Sequence, residues 1–219
     1  MRRPEDIGLA PDAARAAQAA ATGVADEPRF SRSQAIATPA FWLLMLYTVL
    51  VYPVQAGVSL HQAPHLVERG IDATTAALIV SSFSLMSGVG TFACAFMPRR
   101  LPIRFPMALV GILLTLGTVL MTRVASPTEG YLAAALFGFG IGGVLTLLPI
   151  AWADYFGRAN YGAIRGLALS AQVLAQATGP LASGVLRDLA GDYQLALNGF
   201  ALLSSLSVIA ALAARPPKR

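Results

Sequence analysis

The sequence predicts an all-α membrane protein with six transmembrane helices. Composition is the first reason: 56% of the 219 residues are hydrophobic and 12% are charged, whereas soluble domains average about 25% charged. Mean hydropathy is correspondingly high, at +0.63. The third reason is order, because the charges punctuate six long apolar stretches instead of being mixed through them. A hydrocarbon core of ~30 Å asks for about 20 helical residues, and most of the stretches reach that length.

Residues 1–35 come first, an Ala-, Pro- and charge-rich segment that reads as a cytoplasmic linker or arm, with helix expected around residues 13–21. Its start, "MRRP", lacks the apolar run of a signal peptide. The six-helix domain is expected over residues 36–214 and a cytoplasmic tail over 215–219. Within the domain the spans fall at 40–60, 73–97, 105–122, 130–153, 166–186 and 193–214, the third being short for a bilayer. Pro53 lies in the first span and Pro149 in the fourth, where each removes one backbone hydrogen bond and can kink the helix. The third and sixth spans are nearly featureless, which suits outer, lipid-facing helices.

Six spans place both termini on one side. Thirteen of the sixteen basic residues fall on that side, leaving Arg69, Arg123 and Arg187 on the other. The positive-inside rule therefore expects cytoplasmic termini. Arg- and Ala-rich usage hints at a GC-rich genome, and the expected location is a bacterial inner (plasma) membrane. A net charge of +5 does not point to nucleic acid, because the basic residues are dispersed between apolar runs.

The stretch "LFGFGIGG", residues 136–143, contains the glycine spacing of a dinucleotide-binding loop. That loop needs an acid about 20 residues on, and here the next acid is Asp154. The glycines instead sit inside an uncharged stretch where Ala134, Gly138, Gly142 and Thr146 recur every four residues, a small-residue face for close helix contact. Cys94 has no partner cysteine and reads as packing. His61, His65 and Glu68 have metal-ligand spacing on a helix, but Pro64 argues against a continuous helix there, and the expectation is interfacial side chains with no metal and no other cofactor.

No Asp, Glu, Lys or Arg lies near the middle of any predicted span. The polar groups that do are Tyr52, Gln55 and Ser59 in the first, Ser81 and Ser84 in the second, Thr146 in the fourth, and Gln172 and Gln176 in the fifth. Their helical spacing makes them candidates for lining a water-filled pathway, with interhelical hydrogen bonding as the alternative.

The order of these features resembles major facilitator superfamily transporters, across essentially the whole chain. "MRRPEDIGLAPD" resembles the linker between their two six-helix halves, and "RSQAIATPAFWLL" the approach to their seventh helix. "HQAPHLVERGIDATTAA" is similar to the connection into the eighth, "DYFGRANYGAIRG" to the loop between the tenth and eleventh, and "ATGPLASGVLRDLAGDY" to the eleventh helix and its exit. The branch most resembled is that of monocarboxylate and oxalate/formate antiporters. This branch often holds a substrate carboxylate with a cation in the eighth or eleventh helix, and the predicted spans contain none.

The resemblance implies half of a twelve-helix bundle, the C-terminal half, with gating-loop residues at Arg99, Arg100, Arg104, Arg158 and Arg165. The loop around the first three keeps the family's basic cluster without its Gly and Asp. The implied function is secondary active transport of a small organic solute, leaning to a monocarboxylate or related anion and with a coupling proton, by alternating access and without enzymatic chemistry. The implied partners are the lipid bilayer, the solute, and an N-terminal six-helix half or a second copy, with no nucleic acid. The alternative is a six-span structural or regulatory partner protein.

Overall fold

The computed structural model describes residues 28–97 and 101–217. These form seven helices among the described residues: α1 (Arg32–Ile36), α2 (Pro39–Glu68), α3 (Ala73–Ala95), α4 (Arg104–Arg123), α5 (Pro127–Phe156), α6 (Tyr161–Ala190) and α7 (Gln194–Ala213). The predicted arm over residues 1–27 lies outside the described residues, as do Arg99, Arg100, Lys218 and Arg219.

Local chemistry sets the helix starts. Thr38 caps α2 by accepting from the Phe41 amide at 3.3 Å, and Pro39 opens its first turn. Ser126 and Pro127 repeat this device at α5. Asp72 caps α3, and hydrogen bonding from Thr75, side chain and amide, holds its exposed carboxyl below the usual range. A capping side chain satisfies backbone donors that the first turn leaves without intrahelical partners. At the α6 exit Gly191 takes φ +87, a left-handed conformation that glycine adopts without a Cβ clash.

Five helices, α2, α3, α4, α5 and α7, are long and apolar enough to cross a membrane. The sequence predicts six. The missing one is α6, which has 30 residues, long enough to span, but is interrupted by Arg165, Gln172 and Gln176. A second correction concerns α2, which runs unbroken through both Pro53 and Pro64. Flanking helices and tertiary contacts hold it where the local sequence argues for a break.

The ends of the helices define two ends of the bundle. At one, Phe30 packs edge-on against Phe156 at 5.6 Å, Phe41 against Trp152 at 5.3 Å, and the Tyr155 hydroxyl donates to the Ala214 carbonyl at 2.6 Å. At the other, Arg69 donates to the Val124 carbonyl at 3.0 Å, and Glu68 meets Arg187. Successive long helices therefore alternate in direction.

Helix α5 packs between α3 and α4, α2 packs between α6 and α7, and α4 packs on α7. Exchanging α2–α4 with α5–α7 leaves these neighbour relations unchanged, with α2 and α5 running in opposite directions.

The glycine question is settled by α5, a continuous helix and not a loop. A Cβ on Gly138 would collide with the Phe83 carbonyl of α3, and one on Gly142 with the Ser87 carbonyl. On the other side a Cβ on Gly140 would stand 2.8 Å from the Leu114 amide of α4. Cys94 is buried, with its sulfur against Gly143. The glycines thus let three helices approach backbone to backbone.

The third and sixth predicted spans, now α4 and α7, expose Leu109, Ile112, Leu202 and Ile209 on the side away from their partners. Helices α3 and α6 keep fewer buried residues and expose Leu85, Phe92, Leu174 and Leu181.

Candidate functional site

The polar candidates of α2 and α6 meet in one seam. Gln176 Nε2 donates to Gln55 Oε1 at 3.0 Å, joining the two helices by their amides. Deeper toward the Phe156 end, Arg165 Nη2 donates to Gln172 Oε1 at 3.1 Å, and the same guanidinium stands beside the Tyr52 hydroxyl. Tyr52 is buried, and Gln55, Gln172 and Gln176 are half-buried. The helices touch next to the amide pair, because a Cβ on Gly179 would strike the Pro53 carbonyl and come within 3.0 Å of the Gly57 amide.

Arg165 is the main correction to the sequence reading. It was expected in a gating loop, but α6 begins at Tyr161, so Arg165 is a helical residue, only 6% exposed. Helical side chains normally lean toward the N-terminus, yet this one reaches seven residues forward to Gln172. Its Nη1 is buried without a hydrogen-bond partner, and no ion pair to it is found among the described residues. The predicted fifth span, drawn from residue 166, stops one position short of Arg165, which is the fifth residue of α6. A buried cation in a helical bundle is costly and is normally kept for a function.

The remaining candidates are dispersed. Ser81 and Ser84 lie on the exposed face of α3, their hydroxyls donating to their own helix at Ala77 and Val80, at 3.0 and 3.4 Å. Thr146 donates to the Thr91 carbonyl at 3.3 Å, and so ties α5 to α3. Ser59 is half-buried, its hydroxyl enclosed and unpartnered. Arg104 opens α4 with its guanidinium 4.8 Å from the Phe105 ring centre. Arg158 is exposed in the α5–α6 connection, beside Asp154 at a cavity of about 410 Å³ walled by Pro149, Ile150, Ala153 and Tyr161.

Sequence reading missed two members of the α2 face. Thr48 and Gln62 are both buried and share the helix face of Tyr52, Gln55 and Ser59, and the Gln62 carbonyl oxygen has no partner. The signal was available: positions 48, 52, 55, 59 and 62 alternate steps of four and three, the spacing of one helical face.

The two histidines make separate contacts. His65 Nε2 lies 2.9 Å from the Met121 carbonyl, which can only accept, so that nitrogen carries the hydrogen. His61 stacks on Tyr193 at 5.1 Å. No group of three His, Cys, Asp or Glu side chains with metal-binding geometry occurs among the described residues.

The fold defines an all-α, multi-pass membrane protein with five long apolar helices. Comparison with protein-family models and with curated proteins gave no match.

Proposed function

We propose that this chain is one six-helix half of a secondary active transporter, that α6 is its sixth membrane span, and that the α2–α6 seam is its wall of the solute pathway. The observation that carries the reading is the buried Arg165, held by Gln172 and Tyr52 with one N–H arm unspent, in line with the Gln55–Gln176 pair. A lone buried cation among neutral hydrogen-bonding groups suits an organic monoanion, since one carboxylate neutralises it and a dianion would leave a buried negative charge. The exchange relation between α2–α4 and α5–α7 supports the same reading, because inverted three-helix repeats with a site near the midplane are a transporter architecture.

The pathway is completed by a second six-helix body, either a separate N-terminal half or another copy, facing α2, α3, α5 and α6. No covalent chemistry is involved; the solute moves as the two bodies rock about it. With Arg165 counted in the seam, the bias of twelve basic residues to three supports a cytoplasmic Phe156 end.

The test is uptake of a panel of radiolabelled monocarboxylates, with their uncharged amides as controls, in cells expressing the chain together with a six-helix partner. Arg165→Gln should abolish uptake per inserted molecule or raise KM at least about tenfold, the worth of a charge-assisted hydrogen bond. Uptake equal in wild type and Arg165→Gln, or absent for every solute and partner, overturns the reading.

A further inference from the structure

We infer that the last third of α6, residues 181–190, is a hinged gate over the far end of the seam, pivoting at Gly179–Pro180 and held shut by Arg187 on Glu68. This deepens the transport reading and rests on it for the word gate, while the motion itself stands on four local observations.

The pivot comes first. Pro180 has no N–H, so the Gln176 carbonyl loses its intrahelical donor and α6 is weakened there. Gly179 immediately before it lies against Pro53 and Gly57 of α2 with no side chain between, a contact point about which α6 can tilt without unpacking a knob. Pro53 leaves α2 short of one bond at the same level.

Beyond the pivot α6 is lightly held. Ser183 is its one buried residue after Gly179 and Leu186 packs partly buried against the core, whereas Leu181 is 70% and Leu189 79% exposed. A segment with so few buried contacts sits at the low-stability end of a structure.

What holds it is at the tip. Arg187 donates from Nε at 3.1 Å and from Nη2 at 3.0 Å to the same oxygen of Glu68, at the last residue of α2. The guanidinium also lies 6.0 Å from the Tyr193 ring centre. Both partners are partly exposed, with side chains 44% and 28% accessible. An ion pair so placed is weak enough to break and re-form.

Finally, Gly191 follows at φ +87 and a three-residue turn leads to α7, so the tip has a flexible joint on its other side as well. The closed gate lies alongside the far third of α2, where the Ser59 hydroxyl and the Gln62 carbonyl are enclosed and unpartnered. Opening would give these groups water or solute.

The experiment measures access to residue 183. In the full chain with Cys94→Ala, Ser183→Cys is reconstituted in nanodiscs and labelled with an impermeant maleimide, and Ala151→Cys, fully buried at the other end, reports general unfolding. Glu68→Gln and Arg187→Gln should each speed labelling at 183 about fivefold, the effect of losing an exposed ion pair, without changing labelling at 151. The exchanged pair Glu68→Arg with Arg187→Glu should restore the slow rate, and Pro180→Ala, which returns the missing hydrogen bond, should slow labelling in the Glu68→Gln background. Wild-type rates at 183 in both single variants overturn the inference, as does acceleration at 151 in step with 183, or indifference to Pro180→Ala. Because no solute enters this assay, a gate that opens in a chain that moves nothing would sink the transport reading alone.

Discussion

Arg165 and the Gln55–Gln176 amide pair carry most of what is chemically unusual in the chain, and each can be weighed separately. The Gln176 to Gln55 bond joins α6 to α2, and interhelical bonds between membrane helices average about 0.6 kcal/mol and reach about 1.7. A double-mutant cycle with Gln55→Leu and Gln176→Leu, read by thermal unfolding in detergent, should therefore give a coupling energy in that range. A coupling indistinguishable from zero would mean that the amides serve something other than helix joining. Arg165→Gln should melt at the same or a higher temperature than wild type, because it removes a buried charge whose Nη1 has no partner. A clear drop in melting temperature would instead assign Arg165 a structural role.

Helix α5 shows the same reasoning at the level of a whole element. Its 30 residues start at a Ser126 cap and then present glycine alternately to α3 and α4. Gly142→Val should be the most damaging single change in it, since the Cβ alone would meet the Ser87 carbonyl and the backbone cannot yield. The expected loss is at least about 1–3 kcal/mol, the usual cost of overpacking, seen as a lower melting temperature and lower abundance in the membrane. Ser126→Ala should cost about 1 kcal/mol through the lost cap. Helix α6 behaves differently: its polarity makes it the least membrane-like of the six long helices, and its main packing neighbour is α2.

For the molecule as a whole the open question is sidedness, which the arrangement of helices sharpens into one measurement. Ser33 lies in α1 at the Phe156 end, and Ser126 lies in the α4–α5 turn at the other. With Cys94→Ala as background, an impermeant thiol reagent added to intact cells should label Ser126→Cys and spare Ser33→Cys. The reverse pattern would overturn the charge-bias assignment. Exposed apolar side chains cover both broad sides of the bundle, Leu109 and Ile209 on α4 and α7 as well as Leu85 and Leu174 on α3 and α6. A bilayer accounts for such a surface, and in the proposed assembly the α3 and α6 side meets the second body.

Read alone, the sequence determined the all-helical membrane class, the five apolar spans, the packing role of Gly138 and Gly142, and the one-face spacing of Tyr52, Gln55 and Ser59. These depend on composition and on the 3.6-residue period, which are local properties. It misjudged the helical placement of Arg165 and the continuity of α2 through Pro64. Both depend on what lies across the bundle: Gln172 and Tyr52 receive the guanidinium, and α4 and α7 hold the far turn of α2 in place. A charge at the edge of an apolar run has two directions open to it, out to water or into the seam, and only the packed neighbours decide between them.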